Sequence, residues 1–430
     1  MSNLGSYLTC THVKILSYDN DLFDLHYSLV NKNDELFVSL LVTEYYDVLI
    51  AGGSVAGLTT ARECSSNEIS TIVIEEDHEI GTPEHCGGMV SLGGLQKLGL
   101  ILDSNNFQNT VSKATISSKS ASFELSAEKQ NVIVVDRRGL DKQIAKQAQD
   151  AGAQIRTRCT FKSLSKDQSN YIVKTSDGEF KCKYYVDAKG LGSLKDASQN
   201  GILASAQFEI YAKWIDGSTV EILFDSEKYP GFFVWIIPTG EGKGKVGVAG
   251  KGINCSIALF EFIKSRGKKY STIRKIFAPI WVGGPRPPFI AERTLMVGDS
   301  AGQTKPTTAG GIFSCGMAGM LAGKAISQAI ENNDNRLLCN YEKNWKTMFQ
   351  KEFNSMLIAR KVLERLDNKS IDEIFSSLSR KEIKDVSNFS DFDFHSSALD
   401  LFLKTKIASK LTKVLIGNEF RRVFNGMKDN

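Results

Sequence analysis

The chain has 430 residues, of which 42% are hydrophobic and 24% are charged, an ordinary globular composition long enough for two or three domains. The 53 lysines and arginines exceed the 49 aspartates and glutamates by only four charges, which argues against a strongly basic nucleic-acid binder. Eight dilute cysteines without a CxxC pair exclude a zinc ribbon and a disulfide scaffold, and the scattered histidines indicate no metal site.

The first 44 residues show no clear period, and no apolar run reaches the ~18 residues that a membrane span requires. The apolar stretch at residues 36–42 is too short for a signal peptide and lacks its basic flank. We therefore expect a cytoplasmic protein. Residues 1–44 are interpreted as an extension, either an appended strand or arm or the product of a start codon assigned too early. We favour the early start, with Val42 as one candidate for the true one.

An apolar run at residues 45–51 meets two glycines and is followed by a helix-forming segment, which predicts a strand, a tight turn and a helix. Residues 70–74 predict a second strand that ends before Glu75 and completes a βαβ unit. The turn follows the GxGxxG pattern of dinucleotide-binding proteins, with serine at the middle glycine. Its residues are Gly52, Gly53, Ser54, Val55, Ala56 and Gly57.

Backbone N–H groups and the dipole at the start of a helix stabilise a pyrophosphate, so this turn suits a dinucleotide. Glu75 lies 18 residues beyond Gly57, where a carboxylate can accept hydrogen bonds from a ribose. A lone GxGxxG is a weak signal. Strand, helix and acid in this order nevertheless favour a dinucleotide site over an incidental glycine-rich turn.

The periodicity of the later chain predicts buried strands, an antiparallel sheet and a largely helical C-terminal part. In chain order, these are a strand at 131–136, a helix at 140–151, a strand at 184–188, an antiparallel sheet at 208–250 with strands at 220–224 and 232–237 and a hairpin loop at 240–244, a strand at 294–299, and an alanine- and glycine-rich helix ending near 332.

Three segments resemble signatures of FAD-dependent flavoproteins with the glutathione-reductase-type fold, as varied in hydroxylases. They are Asp136-Arg137-Arg138, residues 187–193 with Lys189 in place of an aspartate, and residues 297–302 with Gly298 and Asp299. The resemblance implies FAD rather than NAD, with Arg137 at the cofactor and Asp299 on the ribityl chain. The alternative role for Asp299 is a helix cap. Gly310 and Gly311 would let a helix N-terminus approach the flavin and stabilise its reduced anion.

Phe233-Val234-Trp235-Ile236-Ile237-Pro238, followed by Val246-Gly247, resembles the YxWxFP…VG element of the geranylgeranyl reductase family. These flavoenzymes saturate isoprenoid chains of archaeal lipids and of chlorophyll and tocopherol side chains. Phe233 stands for the family's tyrosine and Ile237 for its phenylalanine. The segment at residues 83–91 is similar to the family's cysteine-glycine loop, and it contains His85, Cys86, Gly87 and Gly88.

This resemblance covers residues 45–323, with a weaker helical match beyond, and implies an α/β fold. A Rossmann-like FAD-binding domain with a parallel sheet is interrupted by an antiparallel β-sheet substrate domain and followed by a C-terminal helical region. The expected boundaries are 1–44 for the extension, 45–200 and 291–332 for the FAD-binding domain, 201–290 for the substrate domain and 333–430 for the helical region.

The resemblance also implies the chemistry, in which FAD supplies a hydride to a geranylgeranyl chain of an archaeal-type membrane lipid. An unactivated alkene offers no carbonyl to polarise, so hydride and proton must be delivered within a dry site. Phe233, Trp235, Ile237, Pro238 and Gly247 are the predicted substrate-binding wall, with plain sheet core as the alternative. The resemblance places Cys86 near the flavin, where it could gate substrate or relay a proton. His85 is the second candidate acid. The alternatives are an inert thiol and a solvated loop histidine.

No second GxGxxG unit occurs, so a dedicated NAD(P)H domain is not predicted. The electron donor is expected to be a ferredoxin, docked on lysines such as Lys243 and Lys245, or NAD(P)H visiting the flavin, although lysines that decorate a turn are the favoured interpretation of that patch. Basic and apolar residues at 401–422 suit an interfacial helix at the inner membrane face, with a terminal helix packed on the body as the favoured alternative. The functional alternatives are an FAD-dependent monooxygenase or hydroxylase and a non-catalytic flavin-binding protein.

Overall fold

The computed structural model describes residues 25–32, 35–194, 201–267 and 269–397, so the predicted helix at 401–422 lies outside the described residues. The chain divides into two units, residues 1–45 and 46–430. In the first unit, two strands form an antiparallel hairpin in which Leu25 pairs with Val42. The hairpin lies in the segment where the hydrophobic residues of the sequence show no recognisable periodicity.

The strands are β1 Leu25–Lys32, β2 Glu35–Val42, β3 Glu44–Ala51, β4 Thr71–Ile74, β5 Met89–Ser91, β6 Phe107–Thr110, β7 Lys113–Ser117, β8 Ser122–Ser126, β9 Val132–Val135, β10 Gln154–Arg156, β11 Phe161–Asp167, β12 Asn170–Thr175, β13 Gly178–Asp187, β14 Ile202–Tyr211, β15 Thr219–Leu223, β16 Val234–Gly240, β17 Lys243–Gly250, β18 Ser271–Phe277, β19 Ile280–Trp281, β20 Ile290–Ala291 and β21 Thr294–Met296. The helices are α1 Val55–Ser65, α2 Leu92–Lys97, α3 Arg137–Asp150, α4 Cys255–Arg266, α5 Ile312–Glu331, α6 Cys339–Leu363, α7 Asn368–Ser377 and α8 Arg380–Phe389.

The sheet that carries the glycine-rich turn has the strand order β10-β4-β3-β13-β12-β11, with β21 beside β13 and β20 beside β21. Strand β4 pairs in parallel with β3 and β10, and β21 pairs in parallel with β13. All four residues of β4 are buried, as expected for a parallel strand covered on both faces. This architecture confirms the predicted Rossmann-like α/β fold.

Helices α1 and α5 approach each other closely because small residues line their contact. A Cβ atom added to Gly319 of α5 would lie 2.2 Å from the carbonyl oxygen of Ala56 in α1. Gly298 lies between the first turns of the two helices, since a Cβ added there would be 3.0 Å from Cβ of Ala56 and 3.8 Å from Cβ of Cys315. The small side chains thereby bring the beginnings of two helices to one place.

The second large sheet has the strand order β18-β14-β17-β16-β15-β7-β8, with β19 beside β14. Its pairs are antiparallel except for β7 and β15, which are parallel. Strands β7 and β8 were not among the predicted elements. The predicted hairpin loop at 240–244 is too long, because β16 reaches Gly240 and β17 begins at Lys243. Gly240 in β16 and Gly244 in β17 have no side chains, and their presence hid the alternating pattern at the ends of these two strands.

The two faces of this sheet meet different partners. Phe208 of β14 and Val246 of β17 pack with Leu259 and Ile263 of α4 in one core. Side chains alternate along a strand, so the neighbouring residues of β14 and β17 point to the opposite face. That face meets the loop that carries Cys86.

The C-terminal part is helical. Trp345, Phe349 and Phe353 of α6 are almost fully buried in the core beneath the first large sheet. Helix α8 begins with a capping box formed by Ser379 and Glu382. Among the helices that the structure describes, none combines the length and the apolar character needed to cross a bilayer.

Candidate functional site

The turn between β3 and α1 depends on its glycines. Gly52 has φ +112°, and a Cβ atom there would lie 2.3 Å from the carbonyl oxygen of Ala188. A Cβ atom at Gly57 would lie 2.0 Å from the carbonyl oxygen of Gly52. Ser54 is exposed, and its side chain does not cap α1. The serine at the middle position therefore fits the turn and leaves the first amides of α1 without a side-chain acceptor from the N-cap.

Glu75 stands beside this turn at the end of β4. Its Oε2 accepts a hydrogen bond from the amide of Gly53 at 2.6 Å, and its Oε1 accepts one from the amide of Asp77 at 3.0 Å. Burial raises the pKa of Glu75, while these two amides act in the opposite direction. The carboxylate holds the turn in shape, and its contact with a ribose stays a prediction.

Asp187, at the end of β13, ties two of the flavoprotein-like segments together. Its Oδ1 accepts hydrogen bonds from the hydroxyl groups of Ser193 at 2.6 Å and Ser300 at 3.0 Å. Its Oδ2 lies 3.3 Å from Nζ of Lys189, the residue that departs from the usual pattern. The structure therefore brings residues 187–193 and residues 297–302 into one cluster.

Asp299 lies in the short helical turn Gly298–Ala301 between β21 and α5. Its carboxylate accepts a hydrogen bond from Oγ1 of Thr304 and lies 3.8 Å from Sγ of Cys315. Burial raises the pKa of Asp299, and both contacts oppose the shift. The carboxylate reaches the first turn of α5 through Cys315, whereas the N-cap position of that helix belongs to Gly311.

The loop before α5 carries Gly310, Gly311 and a buried cation that the sequence analysis did not single out. Lys305 is 7% exposed, and its Nζ donates a hydrogen bond to the carbonyl of Phe392 at 2.7 Å. Burial lowers the pKa of Lys305 to about 8. A Cβ atom at Gly310 would lie 3.2 Å from Cε of Lys305, so this cation lies directly against the predicted approach to the flavin.

The segment after α8 covers this loop. His395 Nδ1 lies 2.9 Å from the hydroxyl of Thr307, and Asp393 accepts a hydrogen bond from the hydroxyl of Ser91 at 2.5 Å. Ser91 ends the strand that follows the cysteine-glycine loop. Residues 391–396 therefore connect the loop before α5 with the cysteine-glycine loop.

The cysteine-glycine loop is held between the two large sheets and β9. Gly88 has φ +81°, and a Cβ atom there would lie 2.3 Å from the carbonyl oxygen of Val135. A Cβ atom at Gly87 would lie 2.5 Å from Cδ1 of Ile237. Cys86, half-buried, accepts a hydrogen bond at Sγ from the amide of Gly88 at 3.3 Å. The glycines allow the thiol to sit in this narrow space.

Arg137, the first residue of α3, lies beside this thiol. Its guanidinium binds both carboxylate oxygens of Asp141, at 2.9 and 3.0 Å, and is within hydrogen-bonding reach of Cys86. Burial disfavours the charged form, but Asp141 and Cys86 outweigh it and raise the pKa of Arg137. The positive charge also acts on Asp299, where it opposes the rise in pKa that burial causes. The structure thus gathers three predicted site residues, Cys86, Arg137 and Asp299.

His85 is less well placed than Cys86. Its residue surface is exposed, yet partial burial of the imidazole lowers its pKa. The charge of Arg137 acts in the same direction, and that of Asp77 opposes it. At neutral pH the imidazole is therefore neutral, and a neutral imidazole is a much weaker proton donor than an imidazolium ion.

Lys245, expected in a solvent-facing basic patch, is 1% exposed, so that prediction is wrong. Its Nζ lies 2.5 Å from Oε1 of Glu84, whose Oε2 lies 2.5 Å from Arg274. Arg274 also pairs with Glu209 at 3.1 Å. The prediction failed because β17 runs through this residue and turns its side chain inward. Burial opposes ionisation of Glu84, but the two cations outweigh it and lower its pKa.

The predicted substrate wall forms an aromatic cluster. Phe232 and Phe233 stack with ring centroids 4.1 Å apart, and each meets Trp235 edge-on at 6.3 Å. Phe233 is buried and Trp235 half-buried. The indole lies over Gly247, where a Cβ atom would be 2.2 Å from Cζ2 of the ring. Any side chain at position 247 would therefore displace Trp235.

This wall adjoins both loops of the site. Ala309, next to Gly310, packs against the aromatic cluster, and Ile237 packs against Gly87. Pro238, which follows Ile237 in β16, is also buried. Most of the predicted substrate-binding side chains therefore lie close to the residues predicted to hold the flavin.

Gln207 is a residue of the site that the sequence analysis missed. It is 5% exposed; its Oε1 accepts a hydrogen bond from Trp235 Nε1 at 3.0 Å, and its Nε2 donates one to the carbonyl of Cys86 at 3.3 Å. An available signal was its position in β14 directly between the apolar residues Ala206 and Phe208, since a polar residue that is buried in a sheet requires a hydrogen-bond partner.

Comparison with known proteins matches residues 45–261 to the FAD binding domain family. The chain is 30% identical over 367 residues to digeranylgeranylglycerophospholipid reductase 2 of Methanothermobacter thermautotrophicus, covering 80% of this chain and 94% of that protein. It is 30% identical over 359 residues to digeranylgeranylglycerophospholipid reductase of Methanocaldococcus jannaschii, covering 78% of this chain and 91% of that protein.

Solved structures share the fold. A geranylgeranyl bacteriochlorophyll reductase-like protein from Thermoplasma acidophilum superposes with a TM-score of 0.76 at 24% identity, covering 87% of this chain and 100% of that chain. The flavin-dependent brominase Bmp2 superposes with a TM-score of 0.64 at 17% identity, covering 86% of this chain and 100% of that chain. Proteins that are named for different activities therefore share this architecture.

Proposed function

This chain belongs to the geranylgeranyl reductase family of FAD-dependent oxidoreductases, and we propose that it transfers hydride from reduced FAD to the C=C bonds of geranylgeranyl chains in archaeal-type membrane lipids. Two relatives named as digeranylgeranylglycerophospholipid reductases are covered over more than nine-tenths of their length. The observation that carries the proposal is the contact of Ile237 with Gly87, which joins the apolar wall to the cysteine-glycine loop.

FAD is the cofactor, and the residues of the site fit it. When bound and reduced, it supplies the hydride. The first amides of α1, which the side chain of Ser54 does not cap, suit its pyrophosphate. We assign Glu75 to the ribose and Asp299 to the ribityl chain. The N-terminus of α5, with Gly310 and Gly311 before it, is assigned to the flavin ring, where the helix dipole would stabilise negative charge on the reduced cofactor.

The apolar wall is assigned to the isoprenoid chain. Phe233, Trp235 and Ile237 present carbon surface, and an alkene with no polar group can be held only by such surface and by the exclusion of water. The wall adjoins the loop before α5 and the cysteine-glycine loop, so a chain lying on it is directed toward both.

We assign to Cys86, rather than His85, the position next to the reacting bond. Cys86 is half-buried beside Arg137, next to the Gly87 that contacts Ile237 of the wall, whereas the imidazole of His85 is held neutral and its residue is exposed. The electron donor is still predicted to be either a ferredoxin or NAD(P)H. Burial of Lys245 removes one of the two lysines on which the ferredoxin surface was predicted.

The proposal is tested by anaerobic incubation of the photoreduced holoprotein with an unsaturated archaeal lipid extract. We expect the flavin to reoxidise without oxygen while the lipid gains two hydrogens per saturated bond, measured by mass spectrometry. Flavin that stays reduced beside unchanged lipid would contradict it. Oxygen consumption driven by NAD(P)H and a phenolic substrate would instead identify a hydroxylase.

A further inference from the structure

Gln207 joins the apolar wall to the cysteine-glycine loop through its two amide atoms. Trp235 Nε1 can only donate a hydrogen bond, and the carbonyl of Cys86 can only accept one. The amide of Gln207 therefore has one orientation that satisfies both partners, at 3.0 and 3.3 Å. Because Gln207 is 5% exposed, turning the amide over would break both of these hydrogen bonds in a buried place.

The carbonyl of Cys86 has a second donor, since Nζ of Lys245 lies 3.4 Å from it. Lys245 is itself fixed by the carboxylate of Glu84. One donor thus belongs to a buried ion pair, and the other belongs to an amide that also holds the indole of Trp235. A displacement of the indole changes the contact that Gln207 makes with this carbonyl, while the contact from Lys245 remains in place.

We propose that Gln207 is a positioning residue that couples the indole of Trp235 to the orientation of the Cys86 thiol. An occupant of the wall that shifts the indole shifts the amide and, through the carbonyl of Cys86, the thiol. The identity of that occupant as an isoprenoid chain rests on the proposed function, but the coupling between the two side chains does not.

The coupling is measured as the rate at which iodoacetamide alkylates Cys86 in the full-length FAD-loaded protein, followed by mass spectrometry of the peptide that contains it. Gln207→Met removes both hydrogen bonds at similar volume, and Gln207→Glu keeps the acceptor for Trp235 but loses the donor to Cys86. In both variants Cys86 is expected to be alkylated roughly two- to tenfold faster, the range that corresponds to the loss of the one hydrogen bond to its carbonyl.

Trp235→Phe removes the indole N–H group that donates to Gln207, and it is also expected to raise the alkylation rate of Cys86. Combined with Gln207→Met, it should add little, because both changes break one chain of contacts. Ser205→Ala is the matched control on β14, since it removes a hydrogen bond to the carbonyl of Ala278 and should leave the rate unchanged. Equal rates in all variants, or fully additive effects, would overturn the coupling.

A second arm adds geranylgeranyl lipid in detergent micelles. We expect the lipid to change the Cys86 alkylation rate in the native protein and to change it less in Gln207→Met. An equal change in both would mean that the lipid shields the thiol directly and would overturn the role of Gln207. The first arm contains no lipid, so its result stands whether or not the protein reduces one, and the FAD absorption spectrum of each variant verifies that the site is intact.

Discussion

Nζ of Lys245 lies 2.5 Å from the carboxylate of Glu84, and the two side chains are 1% and 3% exposed. The same ammonium group lies 3.4 Å from the carbonyl of Cys86. A buried ion pair thus supports the loop that carries the candidate thiol. Removing one partner of such a pair leaves an uncompensated charge in the protein interior.

Lys245→Met should lower the free energy of unfolding by about 3 kcal/mol, since Arg274 still compensates part of the charge on Glu84. The measurement is urea unfolding of the FAD-loaded protein, followed by tryptophan fluorescence. Lys243→Met is the control: its side chain is 31% exposed and pairs with Glu209 nearby, so its loss should stay below about 1 kcal/mol. Equal losses in the two variants would contradict the buried pair.

Lys305 should make stability depend on pH on the alkaline side. Burial lowers its pKa to about 8 in the folded protein from 10.5, so between these values the unfolded chain binds one more proton. The free energy of unfolding contributed by this residue therefore rises with pH, by about 3 kcal/mol across the window. Lys305→Met should remove this rise, measured by urea unfolding at several pH values.

Lys324→Met provides the comparison for Lys305, because Lys324 is an exposed residue of α5. The exposed variant should keep the native pH dependence. A Lys305→Met protein with an unchanged slope would show that the buried ammonium does not lose its proton in this range.

Gly52→Ala should weaken FAD binding by at least about tenfold, because φ +112° strains an alanine and its Cβ would meet the carbonyl of Ala188 at 2.3 Å. Ser54→Gly should retain FAD, since Ser54 is exposed and its side chain does not cap α1. FAD content and affinity are measured by absorbance and by titration of the apoprotein. Loss of FAD in Ser54→Gly, or its full retention in Gly52→Ala, would be inconsistent with this geometry.

Cys86→Ala should retain FAD and alter turnover or the degree of saturation of the lipid product, since the thiol lies beside Arg137 on the loop whose Gly87 contacts the apolar wall. Product mass spectra and rates of anaerobic flavin reoxidation measure the effect. Cys339→Ala changes an exposed cysteine and should leave both unchanged. Unaltered kinetics and products in Cys86→Ala would remove the thiol from the reaction.

Much of the site could be predicted from the sequence because its motifs are local. The glycines of the turn after β3 stand in one short segment, and the close approach of Gly57 to the carbonyl oxygen of Gly52 is a local contact within it. The aromatic strand could be recognised for the same reason, since Phe233 and Trp235 belong to one short segment. The class of the domain and the type of its cofactor could therefore be predicted from short sequence motifs, each taken separately.

The hairpin around Lys243 and Lys245 shows where this approach fails. Glycines at 240, 242 and 244 favoured a loop, so the first residues of β17 were assigned to that loop and the lysines of this hairpin were predicted to be solvated. The structure instead buries Lys245 and leaves Lys243 partly exposed, because neighbouring strands on both sides continue the sheet.

The sequence by itself determined the turn, the order of the signatures and the apolar strand, since each depends on residues close together along the chain. Only the tertiary structure decided the partners. Lys245 and Glu84 are separated by 161 residues, Gln207 and Cys86 by 121, and Lys305 and Phe392 by 87. Periodicity indicates that a face is covered, but which polar group meets a buried lysine or glutamine depends on how distant elements pack.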